Sequence, residues 1–396
     1  MRKEMTFWGN SIEKHDAHTR IKKMHKWTFT TESGKEYMDL VWGNTAPMGA
    51  LNTRMALAVH NGVLNWTRTP STRGLTCDMQ IELSEALCGS DWAGFTWAVS
   101  GSDAVDQAIL ISDEYWKSLN QVKPTIVSLS PSYHGNTYLA RSMSDLNLPL
   151  GRMSRTKVLK PIEKNMDTEE EKKLLFRLER EFKSGGVGCF IIEPVLIHAG
   201  VITLSEFCWI NIRRLCNNYH VILITDDISS GCGKLGSWHS THTAQYGQQS
   251  DINILGKALT GGYAPLAMTF SKEFIWDRVR TKLLFGNSHY PFMGGVAAAL
   301  EYKKIVEARY LFYKIDEKMR RVAELLPSKT NSKGLLNHIY FDEPKDYKEI
   351  LDCGIFHPVR SDKIDGIRFI IPVGADDEYW KKLLPRLDKL CSTLAS

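Results

Sequence analysis

No run of about 18 consecutive apolar residues occurs anywhere in the chain, which excludes a membrane-spanning helix read from hydropathy. The opening stretch MRKEMTFWGNSIEKHDAHTR carries charge but never develops the apolar core of a secretory signal, so a cytoplasmic, soluble protein is expected. The eight cysteines contain no CxxC pair and no Cys/His spacing suited to zinc. No metal is expected, and the thiols are read as reduced and mostly buried. Internal repeats and low-complexity blocks are missing as well. Charge is nearly balanced, 50 basic against 45 acidic residues for a formal +5, and the basic residues are scattered. That scatter argues against nucleic-acid binding and leaves a weak preference for an acidic small ligand.

What is present is an ordinary globular composition, 43% hydrophobic and 24% charged over 396 residues, enough for two or three folding units. From about residue 90 to 270, short β-rich runs alternate with helical patterns. GFTWAVS (94–100), TIVSLS (125–130), GCFIIEPV (188–195) and HVILITDD (220–227) predict buried strands. Between them, Val105, Ala108, Ile109, Ser112 and Trp116 share one helical face. Trp209, Ile212, Cys216 and Tyr219 share another, behind a Ser205 cap. This alternation predicts an α/β fold with a mostly parallel sheet covered on both faces. The last hundred residues differ: a polar helical stretch (301–325), a mixed segment and an amphipathic helix that Pro385 should bend. They predict a smaller α+β domain. The expected division is 1–50 packing with the small domain, 51–289 as the large domain and 290–396 as the small one.

GCGKLG (231–236) matches GxGxxG and follows a predicted strand. A dinucleotide fingerprint needs its glycines to turn directly from strand into helix, and here DDISS intervenes with no clear helical face afterwards. A glycine-rich loop is the better reading. Lys257, in DINILGKALTGGYAPLA, is not a P-loop lysine, because the upstream glycine and the following Ser/Thr are missing. An amine in apolar surroundings loses its proton more easily and can condense with an aldehyde to a Schiff base. TDD, closing the strand HVILI, puts Asp226 and Asp227 at a carboxyl edge of the sheet, to pair with a cationic ring or to cap the next turn. SGSDAV opens a helix whose N-terminus could surround a phosphate or simply be serine-capped. SYHGNT (132–137) offers an aromatic ring for stacking or for the core.

Taken together, SGSDAV, SYHGNT, IIEPV, TDDISSG and GKALTGGY, in this order and spacing, resemble the class III (ω-amino acid) pyridoxal-phosphate-dependent aminotransferases of fold type I. The resemblance runs from about residue 35 to the C-terminus. It implies a large domain with a mostly parallel seven-stranded sheet, a smaller α+β domain, bound pyridoxal 5'-phosphate and a homodimer with shared active sites. By position, Lys257 resembles the Schiff-base lysine and Asp226 the acid that pairs with the pyridinium nitrogen. Gly101 and Ser102 match the phosphate-binding turn, Tyr133 and His134 the stacking segment, and Ile228 the apolar residue on the opposite ring face. Glu193 matches an active-site glutamate, and Ser288 the residue that reaches the cofactor phosphate of the other subunit. Arg368, in GIRFIIPV, resembles the arginine that grips a substrate carboxylate; Trp42 is read as a substrate wall or a core side chain. Trp27 and Trp66 are expected beside Trp42 at an aromatic entrance.

Departures from the pattern are APMGALN near the N-terminus, Ser229 for a common glutamine and Val373 for a second proline. Small residues at 229 bring the motif style nearest to diaminopelargonate-type aminotransferases, although His357 stands where those enzymes carry an arginine. The implied activity is transfer of an amino group from an amine or amino acid to a keto acid or aldehyde by a ping-pong route. An aminomutase or decarboxylase on the same scaffold is the near alternative, and a nicotinamide oxidoreductase or a silent relative a distant one.

Overall fold

The computed structural model describes residues 6–7, 10–11, 20–66, 76–145, 153–159, 167–242, 250–283, 286, 289–323, 326, 329–357 and 363–395. Seven strands form the main sheet: β1 Gly94–Ala98, β2 Thr125–Leu129, β3 Thr156–Leu159, β4 Val187–Ile192, β5 Ile222–Asp226, β6 Ile252–Leu255 and β7 Ala267–Ser271. Their order is β1-β7-β6-β5-β4-β2-β3. Strand β7 runs antiparallel to both neighbours, and the remaining pairs are parallel. Every residue of β4, β5, β6 and β7 is buried, as a sheet covered on both faces demands.

The two faces separate by the two-residue period of a strand. Ile222 and Ile224 of β5 pack with Val105, Ala108 and Ile109 of the helix Gly101–Ser118. Val221 and Leu223 pack with Trp209, Ile212 and Cys216 of the helix Glu206–Asn218. Both helices start where their serines predict: Ser100 accepts from Asp103 N, and Ser205 from Cys208 N. The predicted strands are all present. β3 and β7 carry no sequence signal of their own, being four residues in a polar setting and a short run beside a glycine pair.

Two smaller antiparallel sheets flank this core. Strands Thr330–Lys333, Leu336–Asp346 and Lys363–Ile370 form one. Strands Ile21–Met24, Phe29–Thr31 and Glu36–Asp39 form the other, joined in parallel by Ile355–Phe356. Distant parts of the chain are tied here. Ile370 N donates to Leu40 O at 2.8 Å. Asp376 accepts from Trp27 Nε1 at 2.8 Å and pairs with Lys26. Glu36 is held by Lys382 at 3.0 Å and Arg386 at 2.9 Å.

Two local expectations change. The polar helical stretch divides into Met293–Ala308 and Ile315–Ala323, with Tyr310 between them in the left-handed region at φ 51°. The helix Asp377–Ala395 runs through Pro385 without a break. Its Trp380, Leu383, Leu387 and Leu390 are buried, and tertiary packing outweighs the lost hydrogen bond. Trp27 belongs to the core, 3% exposed with its ring 5.3 Å from Tyr379, so the three-tryptophan entrance is not formed.

Gly43 packs the turn Trp42–Asn44 against the end of the strand that carries Arg368. A Cβ there would lie 2.3 Å from Ile370 O and 2.9 Å from Pro372 N, both backbone atoms that cannot swing aside. Gly43→Ala is expected to destabilise the protein by about 1–3 kcal/mol. Leu110→Ala, on an exposed position, should stay within about 0.5 kcal/mol. Unfolding midpoints of the two variants check the difference.

Candidate active site

The parallel pair β5–β6 sets Asp226 opposite Ile254, so the last residue of β5 lies three positions ahead of Lys257 on the neighbouring strand's exit. Open α/β sheets place ligands at this carboxyl edge. Lys257 opens a tight turn, Lys257–Thr260, and sits at φ 44°, a conformation that costs a non-glycine residue energy and recurs at functional sites. Its Nζ is hydrogen-bonded to Ser229 Oγ. Burial pushes the amine below the ordinary lysine range; the Asp226 and Glu193 carboxylates pull it back, and the Arg368 guanidinium adds to the lowering.

Asp226 receives His134 Nδ1 at 2.7 Å and Ile228 N at 3.3 Å. His134 is buried, and its Nε2 has no hydrogen-bond partner among the described residues. Glu193, one residue past β4, accepts from Tyr133 N at 3.0 Å, and burial pushes its carboxyl up to about 7. Asp227 is structural: Ser230 Oγ and Ser240 N each donate to it at 2.6 Å, and burial raises it to about 6. Of the two acids, Asp227 takes the capping reading.

Gly101 begins the helix Gly101–Ser118, and a Cβ there would lie 2.8 Å from Ile228 Cδ1. A Cβ on Gly256, just before Lys257, would lie 3.4 Å from Ile228 Cγ2, so Ile228 spans the floor between the two segments. Ser102 Oγ accepts from Asn136 N at 2.9 Å and ties the helix start to SYHGNT. Lys257, Asp226, His134, Glu193, Tyr133, Ile228, Gly101 and Ser102 are thus brought together. Ser288 lies outside the described residues.

Arg368 reaches the same cleft. Its Nη1 lies 2.8 Å from His198 Nδ1, and its backbone N donates to His357 Nε2 at 3.1 Å. Burial and the Arg368 charge push His357 down to about 3. Asp39 is raised by burial to about 6 despite the Arg368 charge. Trp42 is half-buried in the adjoining turn. His198, Ser229 as a hydrogen-bond acceptor and Asp39 were not singled out from sequence. His198 had one available signal, its place five residues after Glu193.

The nicotinamide reading fails. Residues 231–235 form consecutive turns, and among the described residues only the short 3-10 turn Ser240–His242 follows them, with no α-helix opening at the glycines. Gly233, at φ 97°, is there because a Cβ would lie 2.0 Å from Phe312 Cε1. No cluster of three or more His, Cys, Asp or Glu side chains suited to a metal occurs among the described residues. All eight cysteines are free, and none of the described helices is long and apolar enough to cross a membrane.

Comparison with known proteins agrees with this geometry. The model of the family described as Aminotransferase class-III matches residues 11–339. The chain belongs to the class III aminotransferase family.

Among its relatives is the adenosylmethionine-8-amino-7-oxononanoate aminotransferase of Synechococcus elongatus, 28% identical over 207 residues, covering 50% of this chain and 47% of that protein. The enzyme of the same name from Geobacter sulfurreducens is 26% identical over 363 residues, 84% of this chain and 76% of that one. The chain spans about half the length of several of the curated relatives it matches, 47% and 48% in two of them. A solved structure of the same-named enzyme from Methanocaldococcus jannaschii shares the fold with a TM-score of 0.83 at 20% identity, covering 95% of this chain and 93% of that one. The main sheet of the class III chain is thus of fold type I.

Because Ser229 accepts from Lys257, it favours the ammonium form. Ser229→Ala should lower the pH at which half of Lys257 is a neutral amine. Trapping by formaldehyde and borohydride, quantified by mass spectrometry of the Lys257 peptide across pH, checks the shift. A half-point unchanged or raised would contradict this geometry.

Proposed function

We propose that this chain is a pyridoxal-phosphate-dependent aminotransferase, acting in the cytoplasm as a homodimer on small amines and keto acids or aldehydes. The observation that carries the reading is Lys257: a desolvated amine at the carboxyl edge of the sheet, beside a buried aspartate and below a helix N-terminus. The fit to the cofactor has independent support. His134 Nε2 is a buried polar atom with no partner among the described residues, beside the Asp226 that its Nδ1 holds.

Bound pyridoxal phosphate supplies an aldehyde that condenses with amines and a cationic ring that takes up an electron pair from the substrate carbon. Asp226, held by His134, keeps an anionic partner for that ring. The first turn of the helix Gly101–Ser118, with Ser102, binds the phosphate through backbone N–H groups. Tyr133 and Ile228 would hold the ring between them. Glu193 orients Tyr133 through its backbone N–H. Lys257 Nζ would hold the cofactor's aldehyde and, when freed by a donor amine, would act as the base that carries the proton from the donor carbon to the cofactor. Arg368 pairs with a substrate carboxylate through parallel hydrogen bonds, with Trp42 as the wall beside it. The domain division proposed with this reading is 1–50, 51–289 and 290–396.

A homodimer is supported by an apolar surface on and around the helix Thr53–Asn65, where Leu51 is 70%, Leu57 54%, Leu64 66% and Trp66 40% exposed. Such a contiguous patch marks an interface in a soluble chain. Ser288 reaching the partner subunit's cofactor phosphate belongs to the same proposal. The adenosylmethionine-8-amino-7-oxononanoate aminotransferases are among the relatives, and Ser229 suits the resemblance to that type. His357 in place of an arginine argues that this chain anchors its substrate differently.

Absorbance spectra test the function. The wild type should show a visible band that particular amines bleach and a keto acid restores, and Lys257→Ala should lack it. A band that no amine converts to the pyridoxamine form would turn the reading to a mutase or decarboxylase. Separately, Leu57→Glu combined with Leu64→Glu should shift the dimer to monomer in sedimentation velocity, with loss of the amine-dependent bleaching. Unchanged sedimentation would remove this face from the interface.

A further inference from the structure

The loop after β4 carries His198 across the cleft to Arg368, and the two sides of this contact are braced by the same small sheet. Arg368 Nη1 and His198 Nδ1 are 2.8 Å apart. A guanidinium only donates, so Nδ1 holds a lone pair and the imidazole is neutral, with its proton on Nε2. The loop is tightly determined. Leu196 and Ile202 exchange backbone hydrogen bonds at 2.9 and 3.2 Å, and Val201 is held at φ 60°, rare for a β-branched residue. Gly200 O receives Tyr340 OH at 3.0 Å and Asn331 Nδ2 at 3.1 Å. Tyr340 stands on the strand whose His338 is registered opposite Arg368. On the other side, the His198 ring lies 4.9 Å from that of Tyr133.

The choice of a neutral acceptor has chemical consequences. A carboxylate side chain at 198 would hold Arg368 in an ion pair that a substrate must break. An apolar one would leave a desolvated cation without a partner whenever the substrate lacks a carboxylate. An imidazole satisfies the guanidinium and yields to a carboxylate, whose charge-assisted bonds are about twice as strong. We propose that His198 is a specificity-determining residue that couples carboxylate recognition at Arg368 to the uptake of one proton. When a substrate carboxylate takes over the guanidinium, His198 Nδ1 takes a proton from solution, and the imidazolium becomes a second cation on the same carboxylate. Substrates without a carboxylate leave the His198–Arg368 pair intact, so one pocket serves both classes. The inference rests on Arg368 as the carboxylate anchor of the function proposed above.

The titratable and charged groups around this pair come from every surrounding element. They are Glu193 beyond β4, Tyr133 after β2, Lys257 after β6, Asp39 and His357 beside Arg368, and His338 and Tyr340 on the neighbouring strand. Glu193, already pushed up to about 7, is the competing proton acceptor, so the test separates the two.

Butyrate is the probe, titrated calorimetrically into the cofactor-loaded protein between pH 6 and 8 in two buffers of different ionisation enthalpy. The wild type should take up close to one proton per butyrate, and its affinity should rise as pH falls, by up to about tenfold per unit. His198→Gln, which keeps an acceptor for Arg368, should bind butyrate without proton uptake. His198→Glu should weaken it by more than about tenfold. Glu193→Gln should retain the uptake. Uptake that survives His198→Gln or disappears in Glu193→Gln, butyrate binding indifferent to Arg368→Gln, or no binding even at pH 6 would overturn the proposal. None of these readouts needs turnover. Their failure leaves the transamination test standing.

Discussion

The parallel register between β5 and β6 is the constraint on which the site depends. It aligns Asp226 with Ile254 and thereby brings a buried acid and a strained lysine to the same edge of the sheet. A slip by one residue would turn every side chain of β5 to the opposite face, sending Ile222 and Ile224 out of one core and Leu223 out of the other. Two hydrophobic clusters with no exposed alternative hold the register, so the geometry of the chemistry is enforced by packing far larger than the chemistry itself.

The second half of the site comes from elsewhere in the chain. Arg368 stands on an antiparallel strand whose neighbours also grip the His198 loop through Gly200 O. Electrostatically the cleft is a balance rather than a charge: burial and the Arg368 charge depress Lys257 while Asp226 and Glu193 offset them, and burial depresses Arg368 while Glu193 and Asp39 offset it. In such low-dielectric surroundings each charge matters more than it would in water, which is why small changes of partner, an imidazole for a carboxylate, can redirect what binds.

Much of this was legible in the sequence, for local reasons. Ser100 and Ser205 cap the helices they precede, and the β-branched runs before Asp226 and Glu193 are strands because nothing else buries such runs so compactly. Lys257 alone reads as a surface lysine; it stood out because SGSDAV, SYHGNT and TDD accompany it in order. Contacts made across hundreds of residues were not legible. His198 has no local pattern that points to Arg368, and Trp27 reads as an entrance aromatic until Asp376 and Tyr379 are seen around it. The division of the polar stretch near Tyr310 is a backbone choice that periodicity does not register.

The clasp of Asp376 on Lys26 and Trp27, with Lys382 and Arg386 on Glu36, joins partners 346 to 350 positions apart. During synthesis the segment around residues 26–36 is made early, yet its charged and aromatic groups have no partners until the helix Asp377–Ala395 has emerged. The clasp cannot close before then. Completion of the fold is therefore tied to completion of the helix, and a chain interrupted before residue 376 leaves its earliest strands unlatched.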